Sequence, residues 1–436
     1  MNIFRITAQE LLDSRGNPTV EATVYLDRRT KVSAMVPSGA STGKYEAVEL
    51  RDNEPQRYHG KGVLKAVRNI NAIIAPALIG FDVTDQRGID QKMIELDGTE
   101  NKSRLGANAI LAVSIACLRA GAIARGLQFY EYVAELFGKP LHQAYIMPIP
   151  LINVLNGGKH AIGSSDIQEY MIVPIGAPTF EEATRWAAET FHHLKGIIQE
   201  RGWPTTVGDE GGYAPPVESN EEPLKLIMEA IGRVGFRPGK DMAIALDLAA
   251  SEFYEDGKYH LAKEDLHLTA EELADLLLDW MGRYPIVSIE DPFDEEDWES
   301  FAMFKERTGN RIQVVGDDLF VTNPARVKIG IERDAANCVL IKANQIGTIT
   351  ETLDTIRLAL DNGLHAIISH RSGETELPFE ADFSVGTGVG QVKIGSVSRS
   401  ERVAEYNELM RIERSLGGKA VLAIFPFGAA MPNKVV

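Results

Sequence analysis

Cysteine is nearly absent. Cys117 and Cys338 are the only two in a chain of 436 residues, and both sit inside apolar runs, SIACLRA and NCVLIKA. A disulfide scaffold uses many more, so these read as buried free thiols in a reducing cytosol. Positive charge is also short: 45 Lys and Arg against 62 Asp and Glu leave a net charge of −17. That balance opposes nonspecific attraction to nucleic acid or to an anionic membrane. The opening residues, MNIFRITAQELLDSRGN, contain no apolar core followed by small residues, so no signal peptide is expected. The most apolar stretch, ANAILAVSIACLRAGAIA from Ala107, carries Arg119 and small residues throughout, which predicts a buried helix and no membrane span. The acidic run from Asp294 to Glu299 lacks the spacing and glycine of a calcium loop. It reads as the solvated start of a helix, where the helix dipole favours acids.

A nucleotide loop is missing as well. PSGASTGKYEA, residues 37 to 47, has only three residues between Gly39 and Gly43, and Tyr45 follows Lys44 where a phosphate loop needs Ser or Thr.

What is present has a clear rhythm. Val20, Ala22, Val24 and Leu26 alternate with polar residues, and Val32, Ala34 and Val36 repeat the pattern, predicting a hairpin with one buried face. Helical stretches follow, and a domain boundary is expected near residues 138 to 146, dividing residues 1–140 from 141–436. Beyond it, short apolar runs (IVSIED, IQVVGDD, CVLIKAN, HAIISH) alternate with amphipathic helices whose starts are marked by Thr269 with Glu272, Asn323 with Pro324, and Thr348 with Glu351. This alternation predicts a parallel sheet covered by helices, and the number of units favours a closed β/α barrel.

The charged residues fall where those strands end. Asp247, Glu290 with Asp291, Asp317 with Asp318, Lys342, the run Ser369, His370, Arg371 and Ser372, and Lys393 each close an apolar run. Between positions 290, 317, 342, 370 and 393 the intervals are 27, 25, 28 and 23 residues, one strand-plus-helix unit each. In a barrel such residues converge on the C-terminal mouth. One acid at a strand end is ordinary, and Asp291 and Asp318 are as readily structural as functional. Three carboxylates with two lysines at one mouth call for chemistry. Asp247, Glu290 and Asp317 are all-oxygen ligands suited to Mg²⁺, and zinc is a poor fit without cysteine or clustered histidine. Lys342 beside a metal is expected to have a lowered pKa and to serve as a general base. Arg371, Ser372 and Lys393 read as an anion clamp. Upstream, Glu210 in VGDEGGYAP, with Gln168 and Glu169 in SDIQEYM, offers a carboxyl group for the acid half of an elimination.

These stretches together, with LDSRGNPTVE, VPSGASTG, NVLNGGKHA, LDLAASEFY, SIEDPFDEEDW, KANQIGTITET and SHRSGETE among others, resemble the enolase family (phosphopyruvate hydratases) across essentially the whole chain. The resemblance implies an eight-fold β/α barrel with an irregular ββαα start, capped by an N-terminal α+β domain with a lid loop. It implies a carbon–oxygen lyase of glycolysis and gluconeogenesis that dehydrates 2-phosphoglycerate reversibly to phosphoenolpyruvate. Two Mg²⁺ ions are implied: Asp247, Glu290 and Asp317 hold the first, and Ser41 binds the second, which arrives with substrate. By the same resemblance Lys342 removes the carbon 2 proton, Glu210 assists loss of hydroxide from carbon 3 and Glu169 supports it. Gln168 and a mobile His160 lie beside substrate, Arg371 and Ser372 bind phosphate, and Ser369, His370 and Lys393 complete the substrate site. A homodimer or ring of dimers in the cytoplasm, with an additional cell-surface or secreted pool, is also implied. A catalytically silent binding protein on the same scaffold is the alternative, although none of the catalytic set is missing. The chain departs from the family pattern where GETELPFEADF brings Leu377, Pro378 and Glu380, and where Ile394 follows Lys393. These changes are expected to alter local packing or a subunit contact.

Overall fold

The computed structural model describes residues 1–40, 43–309 and 311–428. Its first layer is the antiparallel sheet Arg5–Leu12, Pro18–Tyr25 and Lys31–Met35, in that order. The alternation of Val20, Ala22 and Val24 puts all three on the buried face, each at 0% exposure. The helix Ala107–Arg125 packs on that face. It is long and apolar enough to cross a membrane, and it is buried inside the protein instead. Arg119, the one charge in its interior before the closing Arg125, turns its guanidinium to the Ser33 carbonyl. Each Ile, Leu or Val buried completely in such a layer contributes roughly 1.5–3 kcal/mol. Cys117 is buried in this layer and Cys338 inside the barrel, both as free thiols.

The larger layer is a closed ring of eight strands: Ile149–Asn156, Glu169–Val173, Ala243–Asp247, Ile286–Glu290, Gln313–Gly316, Cys338–Ile341, His365–Ser369 and Gln391–Lys393. Neighbours are parallel with one exception. Glu169–Val173 runs antiparallel to both its neighbours, pairing Glu169 with Asn156 on one side and with Asp247 on the other. Two helices, Phe180–Glu200 and Glu222–Val234, then precede the next strand, which gives the irregular ββαα opening. Reversal has a chemical consequence. The first residue of this strand, Glu169, lies at the same end of the ring as the last residues of the others.

The barrel interior is filled by residues that alternate along the strands, including Leu151, Met171, Ala245, Val287, Val315, Leu340 and Ile367, with Phe425 closing the cluster. Helix starts follow the side-chain caps read from the sequence: Thr269 accepts from the Glu272 amide at 3.3 Å, Asn323 from Ala325 at 2.9 Å, and Thr348 from Glu351 at 3.2 Å. Asp297 caps the helix Trp298–Thr308 by accepting from Ser300 at 3.1 Å, and so accounts for part of the acidic run.

The sheet-and-helix layer meets the barrel through a buried carboxylate. Asp90 accepts the Thr350 amide at 2.9 Å and its hydroxyl at 2.7 Å, and holds Ser114 Oγ at 2.6 Å. Among the sequence departures, Ile394 and Glu380 are buried and Leu377 is half-buried against the core. The Glu380 carboxyl, pushed well up by burial and by Glu405, leaves Oε2 without a hydrogen-bond partner among the described residues.

Candidate active site

Strand ends bring the charged residues together. Gly39, His160, Gln168, Glu169, Glu210, Asp247, Lys342, Ser369, His370, Arg371, Ser372 and Lys393 line one narrow cavity. Glu290 and Asp317 join it through its two lysines. Lys393 Nζ lies 2.8 Å from Asp247 Oδ2, 2.8 Å from Glu290 Oε1 and 3.2 Å from Glu169 Oε1. Lys342 Nζ pairs with Asp317 Oδ2. Ser41 lies outside the described residues, so its expected role has no geometry here. A larger cavity of about 550 Å³ lies between Leu11–Ser14 and Ser400–Ala404. It is lined by Asp13, Glu374, Glu376 and Glu401 without a lysine or arginine, which does not suit an anion.

Glu210 reaches the barrel from a strap between two helices, not from a strand end. The strap is tied down where Tyr213 donates to the Val154 carbonyl at 2.9 Å and accepts from the Asn156 amide at 2.8 Å. Glu210 Oε2 then accepts from Asn153 Nδ2 at 3.1 Å and lies 3.3 Å from His370 Nε2, while Oε1 is 3.7 Å from His160 Nδ1. Burial opposes its ionisation, but His160, His370 and Arg402 outweigh burial and hold the carboxyl well below its usual range. Glu169 goes the other way, pushed well up by burial and by the charge of Glu210. Two carboxyls this close share protons as a pair, and the arrangement keeps the proton on Glu169 and the charge on Glu210. His370, lowered to about 3 by burial, is neutral at physiological pH and acts on Glu210 as a dipole.

Lys342 is expected to be lowered beside a metal, and its pairing with Asp317 sets the condition for that. Burial lowers its ammonium, yet Asp317 beside it more than compensates and leaves the group above its ordinary value. A lowered pKa needs that carboxylate to be engaged elsewhere, as a cation on Asp317 would engage it.

The acids fit such a cation. Glu290 is pushed well up by burial and by Asp247, and its Oε2 is buried without a hydrogen-bond partner among the described residues. Oxygen-only donors with an unsatisfied buried lone pair match a hard divalent ion. Among the described residues the tight groups that could hold a metal are Asp291 with Asp317 and Asp318, and His160 with Glu169 and Glu210. The expected trio of Asp247, Glu290 and Asp317 is not one of these tight groups: Asp247 and Glu290 share Lys393, whereas Asp317 pairs with Lys342 and clusters with Asp291 and Asp318. Asp291 has a structural task besides: it accepts the Asp317 amide at 3.0 Å and the Asp318 amide at 2.8 Å, fixing the turn that aims Asp317.

Several contributors have no strand-end signal. Glu46 pairs with Arg371 through contacts of 3.0 and 3.1 Å, and this raises the guanidinium despite burial. Gln345 donates to Asp317 Oδ1 at 2.8 Å, and Asn344 accepts from Arg371 at 3.0 Å. Ser372 Oγ accepts the Ala40 amide at 2.6 Å and Arg15 Nη1 at 3.3 Å, tying the chain at Ala40 to the barrel. Lys44, without a role in the sequence reading, gives its amide to Glu295 at 3.1 Å.

The site's chemistry is thus a lysine base candidate, a buried carboxyl pair, an acid set fit for a divalent cation and an arginine–serine clamp. Comparison with protein-family models gives two matches. Residues 3–133 match the model described as "Enolase, N-terminal domain", and residues 144–429 match "Enolase, C-terminal TIM barrel domain".

Proposed function

The chain belongs to the enolase family over nearly its whole length, and from that premise we propose that this enolase-type lyase interconverts 2-phosphoglycerate and phosphoenolpyruvate. The observation carrying the reading is that Lys342 and Glu210 line one buried cavity together with Arg371, Ser372 and Lys393. An elimination next to a carboxylate needs a base, an acid and fixed positive charge in one water-poor space.

In this reading the Arg371 guanidinium and Ser372 hydroxyl receive the phosphate, and Lys393 fixes the substrate carboxylate end. Lys342 Nζ takes the proton from carbon 2. The carboxyl pair of Glu169 and Glu210 returns a proton at carbon 3, where the hydroxyl leaves as water. Glu210 is the member that touches the leaving group, and Glu169 holds the proton in reserve. His160 and Gln168 border the substrate, and Ser369 and His370 support the clamp. Asp247, Glu290 and Asp317 would hold one Mg²⁺, and the second is assigned to Ser41. Bound Mg²⁺ supplies positive charge to the carboxylate as the carbon 2 proton departs.

The deciding assay follows phosphoenolpyruvate formation from 2-phosphoglycerate with Mg²⁺ and then with EDTA. Metal-dependent product formation is expected, and its absence rejects the reading. The family relation further supports a homodimer or ring of dimers working in the cytoplasm, which light scattering and cell fractionation test.

A further inference from the structure

Arg402 has no step in this reaction, yet it heads the large side chains that the fold buries completely, at 0% exposure. It sits in the first turn of the helix Ser400–Leu416 and reaches beneath the barrel mouth. Nη1 donates to His370 Nδ1 and to the Arg371 carbonyl, both at 2.7 Å. Nη2 donates to the Ser372 carbonyl at 2.7 Å and to the Asp209 carbonyl at 3.1 Å. One guanidinium therefore ties the Arg371–Ser372 clamp to the strap that carries Glu210.

The contact to His370 also has a fixed direction. A guanidinium has donors only and does not deprotonate in proteins. His370 Nδ1 must then be the bare acceptor. In a neutral ring the single proton must reside on Nε2, which lies 3.3 Å from Glu210 Oε2, near enough for its positive edge to act on that charge although the N–H is not aligned into a hydrogen bond. The opposite tautomer would set an N–H against Arg402 and a lone pair against Glu210, two repulsions at once.

Gly395 shows how tightly these groups converge. A Cβ there would lie 2.8 Å from Arg402 Cδ, 2.9 Å from His370 Cε1 and 3.0 Å from the Glu210 carbonyl, and its φ of +81° is one that side chains rarely adopt. The neighbouring amide of Ser396 donates to the same Glu210 carbonyl at 2.9 Å.

We propose that Arg402 is a positioning residue that selects the Nε2–H tautomer of His370, presenting a donor to Glu210 while locking clamp and strap in one register. The tautomer follows from the contacts alone, and only its kinetic consequence rests on the function proposed above. Glu210 carries the charge of the carboxyl pair, and the Nε2–H of His370 beside it, with Asn153 Nδ2 at 3.1 Å, stabilises that charge as the proton held on Glu169 is passed on.

The test uses the full chain labelled with ¹⁵N-histidine, with the His370 signals assigned by His370→Gln. Long-range proton–nitrogen correlation is expected to show a bare Nδ1 and a protonated Nε2 in the wild type, unchanged between about pH 6 and 8. A wild-type His370 protonated on Nδ1 overturns the proposal by itself, before any Arg402 variant is made. Arg402→Lys keeps the charge without the fork. It should give mixed His370 tautomers and a kcat lower by about 10²-fold with KM within about threefold, as expected when a catalytic group is displaced and binding is retained. Wild-type kcat in a folded Arg402→Lys, or a tautomer unaffected by it, also overturns the assignment. If the wild type fails to dehydrate 2-phosphoglycerate but shows the expected tautomer, the proposed reaction falls and the Arg402–His370 relationship stands.

Discussion

Lys393 lies 2.8 Å from Glu290 Oε1, while the other oxygen of that buried carboxylate, Oε2, has no hydrogen-bond partner among the described residues. The lysine neutralises only part of what Asp247, Glu290 and Asp317 concentrate, and Glu290 is accordingly pushed up by burial and by Asp247. A divalent cation removes this conflict, so Mg²⁺ should stabilise the fold. At about a hundredfold excess over its dissociation constant the gain is about 2.7 kcal/mol, a rise of a few degrees in Tm. Thermal melts with Mg²⁺ and with EDTA measure it. Glu290→Gln should lose most of the shift, and a full shift in that variant would remove Glu290 from the ligand set.

The two halves of the elimination should separate by variant. Lys342→Ala should lose about 10³-fold or more in turnover and also lose exchange of the carbon 2 hydrogen with solvent deuterium, because both need the base. Glu210→Gln should lose turnover and retain the exchange if, in the proposed reaction, the base acts before the carbon 3 hydroxyl departs. Exchange monitored by proton NMR distinguishes them. Loss of exchange in both variants would place Glu210 on the proton-removal side as well.

The strand-end residues were legible because a β/α rhythm fixes which end of each apolar run faces the mouth. Lys342 and Lys393 follow directly from that rule. Glu169 was found only by its motif, since its strand runs against its neighbours and puts a first residue where the others put last ones. Glu210 lies on a strap with no strand of its own, and only the acid requirement singled it out. Glu46, Gln345 and Arg402 had no signal: each meets the site from a loop, a short turn or a helix more than two dozen residues from the group it serves. Pairing across such separations is set by packing, which periodicity does not encode. The pairing of Lys342 with Asp317 is not legible either, because Asp317 lies one whole strand-plus-helix unit away in sequence yet meets it in space.

Asp90 joins the two layers of the molecule. Its carboxylate satisfies Thr350 and Ser114 from two other helices and, at 3.1 Å, Gln86 one turn back on its own helix. Removing it leaves several buried donors unpaired at about 1–3 kcal/mol each. Asp90→Ala should therefore destabilise the protein by about 3 kcal/mol or more, with Asp90→Asn milder because one acceptor oxygen survives. Urea denaturation followed by circular dichroism reads both, and an Asp90→Ala variant as stable as wild type would show that this contact does not hold the layers together.

Asp382 should make the protein less stable as pH rises. Its side chain, buried in the helix Phe379–Thr387, accepts the Tyr130 amide at 3.1 Å. Burial, reinforced by Glu408, pushes the carboxyl up to about 7, whereas in the unfolded chain it ionises near its ordinary value of about 3.9. The folded state thus binds a proton that the unfolded state has released, so stability falls with rising pH between those values. The contribution is fully present below about pH 4 and is lost as pH climbs through about 7, up to about 4 kcal/mol in total. Asp382→Asn keeps an acceptor for Tyr130 and cannot ionise. Its melting temperature, compared with wild type at pH 5 and at pH 8, should gain relative to wild type at the higher pH. A difference that stays flat across this range would mean that Asp382 ionises in the folded protein as it does in the unfolded chain.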